Sequence, residues 1–329
     1  MKKRKLGRSD LHVSELCLNT TRFGRIDDEA NSLALLDTYV TGGGNFIESL
    51  GFCESSVIAQ SADARSEEIV GRWHRSRAIS RESFVLATRI NLYRPVHGGS
   101  IAFANLIRES CESSLRRLRA KHLDLLICEW VEHLTPIDDA LEAFDQLIRA
   151  GLVRHVVAGG FPPWRAIDSL HRSSLRNLCR FEALQTDYSL LTRACFEAET
   201  LAMCREHRLG FLARSPLAGG FLARRPGSSR EMINPDGPTD SQRFGSNAGD
   251  SILTALSKIA DERFVLPAQI ALAWVLRNPQ VSSALISADS TQQLSDLICG
   301  TGIDLTEEET GALANVTAAH DSHRELRYA

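Results

Sequence analysis

Glu48, Cys53, Arg89 and Glu129 are the side chains whose types and placement could do chemistry. Glu48 follows the apolar run NFI, Arg89 follows FVLAT, Glu129 follows LDLLIC, and Cys53 lies in the loop behind Glu48. A carboxylate beside a guanidinium keeps its charge and can take a proton from a bound molecule. The pattern therefore predicts acid–base chemistry with Glu129 as the proton acceptor. Arg89 holds Glu129 ionised, or stabilises the enolate-like oxygen that forms when a proton leaves. Glu48 orients Arg89 or serves as the second acid–base group. A free cysteine titrates near about pH 8.5, so Cys53 takes a lesser role. Arg22, Arg89 and Arg214 suit an anionic or carbonyl-rich ligand. Asn19, Arg22, Asp187, Arg214 and Trp130 form the expected substrate-binding set. Trp130 and His133, just past Glu129, have the competing reading that they only cap a rim.

The elements that must position these residues alternate. Short apolar runs recur at residues 16–18, 45–47, 84–90, 123–130, 153–158, 181–184, 210–213 and 281–288. Between them, residues 30–41, 66–76, 101–118, 137–150, 163–170, 196–207 and 268–276 carry helical periodicity. Eight strands separated by amphipathic helices predict an α/β fold, a closed (β/α)8 TIM barrel. The runner-up, an open doubly wound sheet, calls for a GxGxxG turn after the first strand, and none is present. The GRSD turn inside residues 3–13 predicts a small N-terminal hairpin on the barrel floor. Two long mouth loops follow, at residues 51–64 and 226–249, and the second reads as a flexible lid. No linker divides the chain, so residues 1–329 read as a single barrel domain.

Composition narrows the partners. The chain has 329 residues, which suits one barrel, and 43% of them are hydrophobic. The net charge is −3 and basic residues are spread along the chain, so neither nucleic acid nor a membrane is the expected partner. There is no run resembling a signal peptide or a membrane span. The eight cysteines form no CxxC pair, so no metal site is expected; most sit in apolar runs and read as buried thiols in a cytoplasmic, reducing compartment. The oligomeric state is not legible.

Several stretches resemble the aldo-keto reductases: KLGRSDLHVSEL, NFIES, RSEEIVGRW, FVLATRI, SLRRLRAKHLDLL, GLVRHVVAGGF, ALQTDYSLL, SPLAGGFL and QIALAWVLRNPQV, in the family's order over most of the chain. RSEEIVGRW and SPLAGGFL are the more specific. The resemblance implies carbonyl reduction by a Tyr proton donor, tuned by a Lys and an Asp, with a His orienting the carbonyl and hydride arriving from a nicotinamide. Where the family reads roughly NFIDTADVYG, this chain reads NFIESLGFCE, which sets Glu48 at the Asp and Cys53 at the Tyr. ATR in place of ATK sets Arg89 at the Lys, and Glu129 falls at the His. The resemblance thus implies that all four catalytic positions are replaced. Losing a general acid costs roughly 10²–10⁴ in rate.

The resemblance also marks a cofactor site. Its Ser-Asn pair, which holds the nicotinamide amide, is Gly159-Gly160 here, and the ring-stacking Tyr is Arg214. Gln185, Ser215, Leu217, Gly219 and Gln293 remain as a vestigial cofactor-binding set. The Arg expected to hold the 2′-phosphate is Asp289, and the second adenine contact is Leu297. No cofactor is expected beyond weak residual NAD(P)H binding. The leading function is a non-redox cyclase, isomerase or dehydratase of specialised metabolism, acting on a small polar molecule. Its alternatives are an unorthodox NAD(P)H-dependent carbonyl reductase and a non-catalytic binding or regulatory protein.

Overall fold

The computed structural model describes residues 1–51, 62–91, 99–129, 137–226 and 247–325. Eight parallel strands close a barrel: β3 (Leu16–Asn19), β4 (Phe46–Leu50), β5 (Val85–Asn91), β6 (Leu123–Glu129), β7 (Val153–Gly159), β8 (Phe181–Asp187), β9 (Gly210–Arg214) and β10 (Val281–Ile286). Closure comes from β10, which pairs with both β9 and β3. The open doubly wound alternative is excluded by that pairing.

Period-two alternation builds two cores. Cys17, Phe46, Ala87, Leu125, Ile127, Val157, Ala183, Leu212 and Leu285 form the cluster inside the barrel. Leu18, Ile47, Leu86, Leu126, Val156, Leu184, Phe211 and Ala284 point the other way, into the cluster shared with the helices. β1 (Lys3–Lys5) and β2 (His12–Ser14) make the expected antiparallel hairpin, which sends Leu6, Leu11 and Val13 into the inner cluster as a floor plug. Gly7 in that turn has φ +54°, and a Cβ there would stand 2.1 Å from the Glu182 carbonyl oxygen, so the plug seats only with glycine.

Among the described residues the α-helices are α1 (Glu29–Thr41), α2 (Ala62–Ser76), α3 (Gly99–Leu118), α4 (Ile137–Arg149), α5 (Pro163–Arg176), α6 (Arg193–Cys195), α7 (Leu201–His207), α8 (Asn247–Glu262), α9 (Pro267–Arg277), α10 (Thr291–Gly300) and α11 (Glu307–Glu325). α4 shows why such segments fold this way. Ile137, Ala140, Leu141, Phe144 and Leu147 make one buried stripe, while Asp138 and Asp139 sit in the first turn and Arg149 in the last. The segment expected as one helix over residues 196–207 is broken: a π turn, Phe196–Thr200, joins α6 to α7. Phe196 lies 4.0 Å from Phe211 and 4.5 Å from Tyr188, centroid to centroid, and this aromatic seat accompanies the irregular turn. Of the two expected loops, residues 52–61 and 227–246 lie outside the described residues. Both loops are shorter than expected, because Ala62 already opens α2 and Asn247 already opens α8. No helix among the described residues is long and apolar enough to cross a membrane.

Candidate active site

Strand parity carries past the apolar layers to the C-terminal ends of the strands, the face where barrels of this type hold their chemistry. The next inward positions after Phe46, Ala87, Ile127, Val157, Ala183 and Leu212 are Glu48, Arg89, Glu129, Gly159, Gln185 and Arg214. These six positions gather at the mouth. Arg89 Nη2 donates to Glu48 Oε1 at 2.7 Å, and Arg89 Nη1 donates to Glu129 Oε2 at 2.8 Å. Arg89 also donates to Gln185 Oε1, and Gln185 Nε2 donates to Glu48 Oε2 at 2.7 Å. On the far side of Glu129, Arg214 Nη1 donates to Glu129 Oε1 at 2.8 Å and Arg214 Nε to Asp187 Oδ1 at 2.7 Å. The result is a chain of alternating sign: Glu48, Arg89, Glu129, Arg214, Asp187.

Exposure rises along that chain. The Glu48 side chain is 0% exposed, Arg89 12%, Glu129 14% and Arg214 31%. Burial works against the charge on Arg89, but the pull of Glu48 and then Glu129 outweighs it and sets Arg89 above the ordinary arginine value. Arg214 is shifted upward in the same way: burial opposes its charge, and Asp187 and Glu129 overcome it. Beneath them Cys17 is fully buried, and burial followed by the Glu48 charge pushes its thiol well up, so it stays protonated.

Gly159 and Gly160 belong to this network. A Cβ at Gly159 would stand 2.7 Å from Glu129 Oε2, and one at Gly160 would stand 3.0 Å from Glu129 Oε1. Gly160 also has φ +68°. The Glu129 carboxylate lies against bare backbone that any side chain at residue 159 would obstruct. The sequence placed these glycines only at the amide-holding pair of the resemblance and did not reveal the link to Glu129. The only signal was that both changes fall at the ends of adjacent strands.

A cavity of about 400 Å³ opens above the network. Asn19, Arg89, Glu129 and Arg214 line it, together with Ser215, Leu217, Gly219 and Gln293. Thr21, Leu50 and Ser287 also line it and were not anticipated. Glu48, Gln185 and Asp187 stand behind the wall as partners of the two arginines. Arg22 is not brought to the cavity: it pairs with Asp289 at 2.7 Å and with Asp27 at 3.4 Å. Cys53, Trp130 and His133 lie outside the described residues.

A family model described as the aldo/keto reductase family matches residues 15–318. The chain belongs to the aldo/keto reductase family. It is 31% identical over 312 residues to the uncharacterized oxidoreductase YrpG of Bacillus subtilis, covering 92% of each chain. It is 26% identical over 313 residues to the norsolorinic acid reductase stcV of Emericella nidulans, covering 91% of this chain and 77% of that one. It is 27% identical over 304 residues to the probable voltage-gated potassium channel subunit beta of Arabidopsis thaliana, covering 90% of each.

Members of this family typically bind NAD(P)H, which does not support the expectation of no cofactor, although weak residual binding is part of that expectation. The cavity keeps one feature of such a site. Its Ser215–Gly220 wall holds two non-glycine residues, Ser215 and Ala218, at φ +50°. Strain of this kind is often kept where a loop clamps a ligand. Both ends of the molecule fit poorly. Glu129 packs against Gly159 and Gly160, where the resemblance expects the amide-holding side chains, and the ion-paired Arg214 takes the place of the stacking ring. Asp289 faces Arg22 rather than standing free for a phosphate.

Proposed function

We propose that the barrel mouth binds a small polar molecule bearing an anionic or carbonyl group and acts on it by acid–base chemistry without hydride transfer. The observation that carries this reading is the fit of Glu129 between Arg89 and Arg214 against the bare backbone of Gly159 and Gly160. Glu129 lines the cavity and takes the proton. Arg89, held by Glu48 and Gln185, stabilises the oxygen that gains charge. Arg214, the more exposed guanidinium, anchors the ligand's acidic group. Arg22 is left out of this set because Asp289 and Asp27 hold it.

A second reading, a nicotinamide-dependent carbonyl reductase with an unorthodox proton donor, is the one that family membership and the reductase and oxidoreductase names of the relatives favour. The strained Ser215–Gly220 wall of the cavity also supports it. It requires the link between Arg214 and Glu129 to open. One assay separates the two readings. The purified protein is offered a panel of hydroxy, keto and carboxylate metabolites, with and without NADH or NADPH. Turnover without nicotinamide that falls roughly 10²-fold or more in Glu129→Gln supports the acid–base reading. Turnover that depends on NADH or NADPH supports the reductase. The similarity to a channel beta subunit keeps a non-catalytic role as the outcome if a ligand binds and no product forms.

A further inference from the structure

A second cavity, of about 630 Å³, opens at the opposite end of the barrel, where α2 and α3 end. Its walls are His74 and Arg75 of α2, the segment 78–82 leading toward β5, and the turn 119–122 leading into β6. Its basic members are His74, Arg75, Arg81, Arg119, Lys121 and His122, against the single acid Glu82. Elsewhere arginines are commonly matched to acids, as in Arg72–Glu29, Arg117–Glu67 and Arg263–Glu309. Arg75, Arg119 and Lys121 are exposed and have no ion pair among the described residues.

Arg81 is different in kind. Its side chain is 13% exposed and fixed by Asp124 at 2.6 Å, the Phe84 carbonyl at 2.9 Å and the His122 carbonyl at 3.1 Å. Its Nε is buried and has no hydrogen-bond acceptor among the described residues. Such a donor is costly to leave without an acceptor.

The plain explanation of cations here is that they complement two helix C-termini. Each terminus is worth roughly half a negative charge, so with Glu82 the demand is about two charges. Arg75, Arg81, Arg119 and Lys121 exceed it by about two. Asp124 closes part of the gap: it pairs with Arg81 at 2.6 Å and with Arg154 at 2.7 Å, and Arg154 is matched in turn by Asp10 at 2.6 Å, which leaves a surplus of about one. The Leu118 carbonyl at the end of α3 is already taken by His74 Nε2 at 3.0 Å. Both histidines register the surplus. Burial, and then Arg81, Arg75 and Arg119, hold His74 below the ordinary histidine value against the pull of the Leu118 carbonyl; burial and Arg81 do the same for His122 against Asp124.

We propose that this cleft is a binding site for a small, multiply charged oxyanion of the phosphate type, either free or as the phosphate end of a metabolite. Arg119 and Lys121 meet it from one turn, Arg75 from the end of α2, and Arg81 forms the fixed wall. A volume of this size suits a small molecule. The chain's net charge of −3 disfavours a nucleic acid.

The test is a titration of the full chain with pyrophosphate, inorganic phosphate and adenosine diphosphate, followed by calorimetry and by the ring resonances of the histidines. One pyrophosphate per chain binds, and the His74 and His122 resonances shift and titrate at higher pH. The double variant Arg119→Gln/Lys121→Gln, at exposed positions, weakens binding by roughly tenfold or more, with a thermal midpoint lowered by no more than a few degrees. Equal affinity for inorganic phosphate identifies a free oxyanion; tighter adenosine diphosphate, read at the same histidines, identifies a metabolite's phosphate end. Failure to bind pyrophosphate at millimolar concentration, binding undiminished in the double variant, or saturation by a single-stranded oligonucleotide in preference to pyrophosphate overturns the proposal.

Discussion

At the scale of single residues, the mouth turns on fit as much as on charge. Glu129 and Gly159 occupy one volume between them, so each should report on the other. Gly159→Ala places a methyl 2.7 Å from Glu129 Oε2 and forces the carboxylate away from Arg89 or the backbone away from Glu129. Overpacking of this kind costs about 1–3 kcal/mol. Glu129→Ala in the same chain removes the clash, so a double-mutant cycle by chemical denaturation should show a coupling of at least about 0.5 kcal/mol. Additive effects would mean that the carboxylate is free to leave. Arg89 gives the complementary prediction. Glu48 is fully buried, and Arg89 and Gln185 are its partners. Arg89→Ala leaves that charge uncompensated and should cost about 3–5 kcal/mol, whereas Arg89→Met with Glu48→Gln removes both charges and should recover much of the loss. The Arg89 pairs with Glu48 and Glu129 were legible in the sequence, because strand ends that follow one another in the chain become neighbours in the barrel. The Arg22–Asp289 pair was not. It depends on β10 closing onto β3, which joins residues 258 or more positions apart, as the Asn31–Asp289 bond also does.

At the scale of elements, the strands and most helices could be read because their apolar periods are strong, and most observed ends fall within a few residues of the expected ones; α5, expected to end at residue 170, runs on to Arg176. α8, α10 and α11 were not set out. α8 lies beside the polar stretch taken as a loop, and α11 (EEETGALANVTAAHDSHRE) reads as polar chain with no clear apolar stripe. The hairpin plug was legible from its turn, but its rigid seat was not, because no local pattern reveals that Gly7 meets the Glu182 carbonyl. Gly7→Ala therefore tests the element as a whole. A Cβ 2.1 Å from a backbone oxygen, at φ +54°, should unseat Leu6 and the plug. The expected result is a thermal midpoint lowered by several degrees, with faster amide exchange in β1, β2 and the start of β8. Exchange confined to residues 7–9 would show that the plug can shift without loosening the floor.

At the scale of the whole molecule, the ionisable groups set a stability profile with two separate acid limbs. His74 and His122 titrate below the ordinary histidine value in the folded chain, through burial and nearby arginines. The unfolded chain therefore binds more protons as pH falls through the histidine range, and folding stability declines from about pH 7 toward pH 5. Asp37 and Glu309 lie lower still. Arg77 and Trp73 hold Asp37 down against burial, and Arg263 holds Glu309 down. Their contribution is present above the ordinary carboxylate range and is lost only as pH falls below about 4. Asp27 and Glu67, raised by burial, run the other way: stability grows as pH falls through their raised values to the ordinary carboxylate range, which offsets part of the loss above the second limb. Thermal midpoints measured across this range should thus fall in two steps. His74→Gln, which keeps a donor for the Leu118 carbonyl and cannot ionise, should flatten the first step and leave the second. Pyrophosphate should flatten the first step as well, because an anion in the basic cleft raises the two histidines toward their unfolded values. A first step that pyrophosphate leaves untouched, in a protein shown by calorimetry to bind it, would place the anion away from His74 and His122.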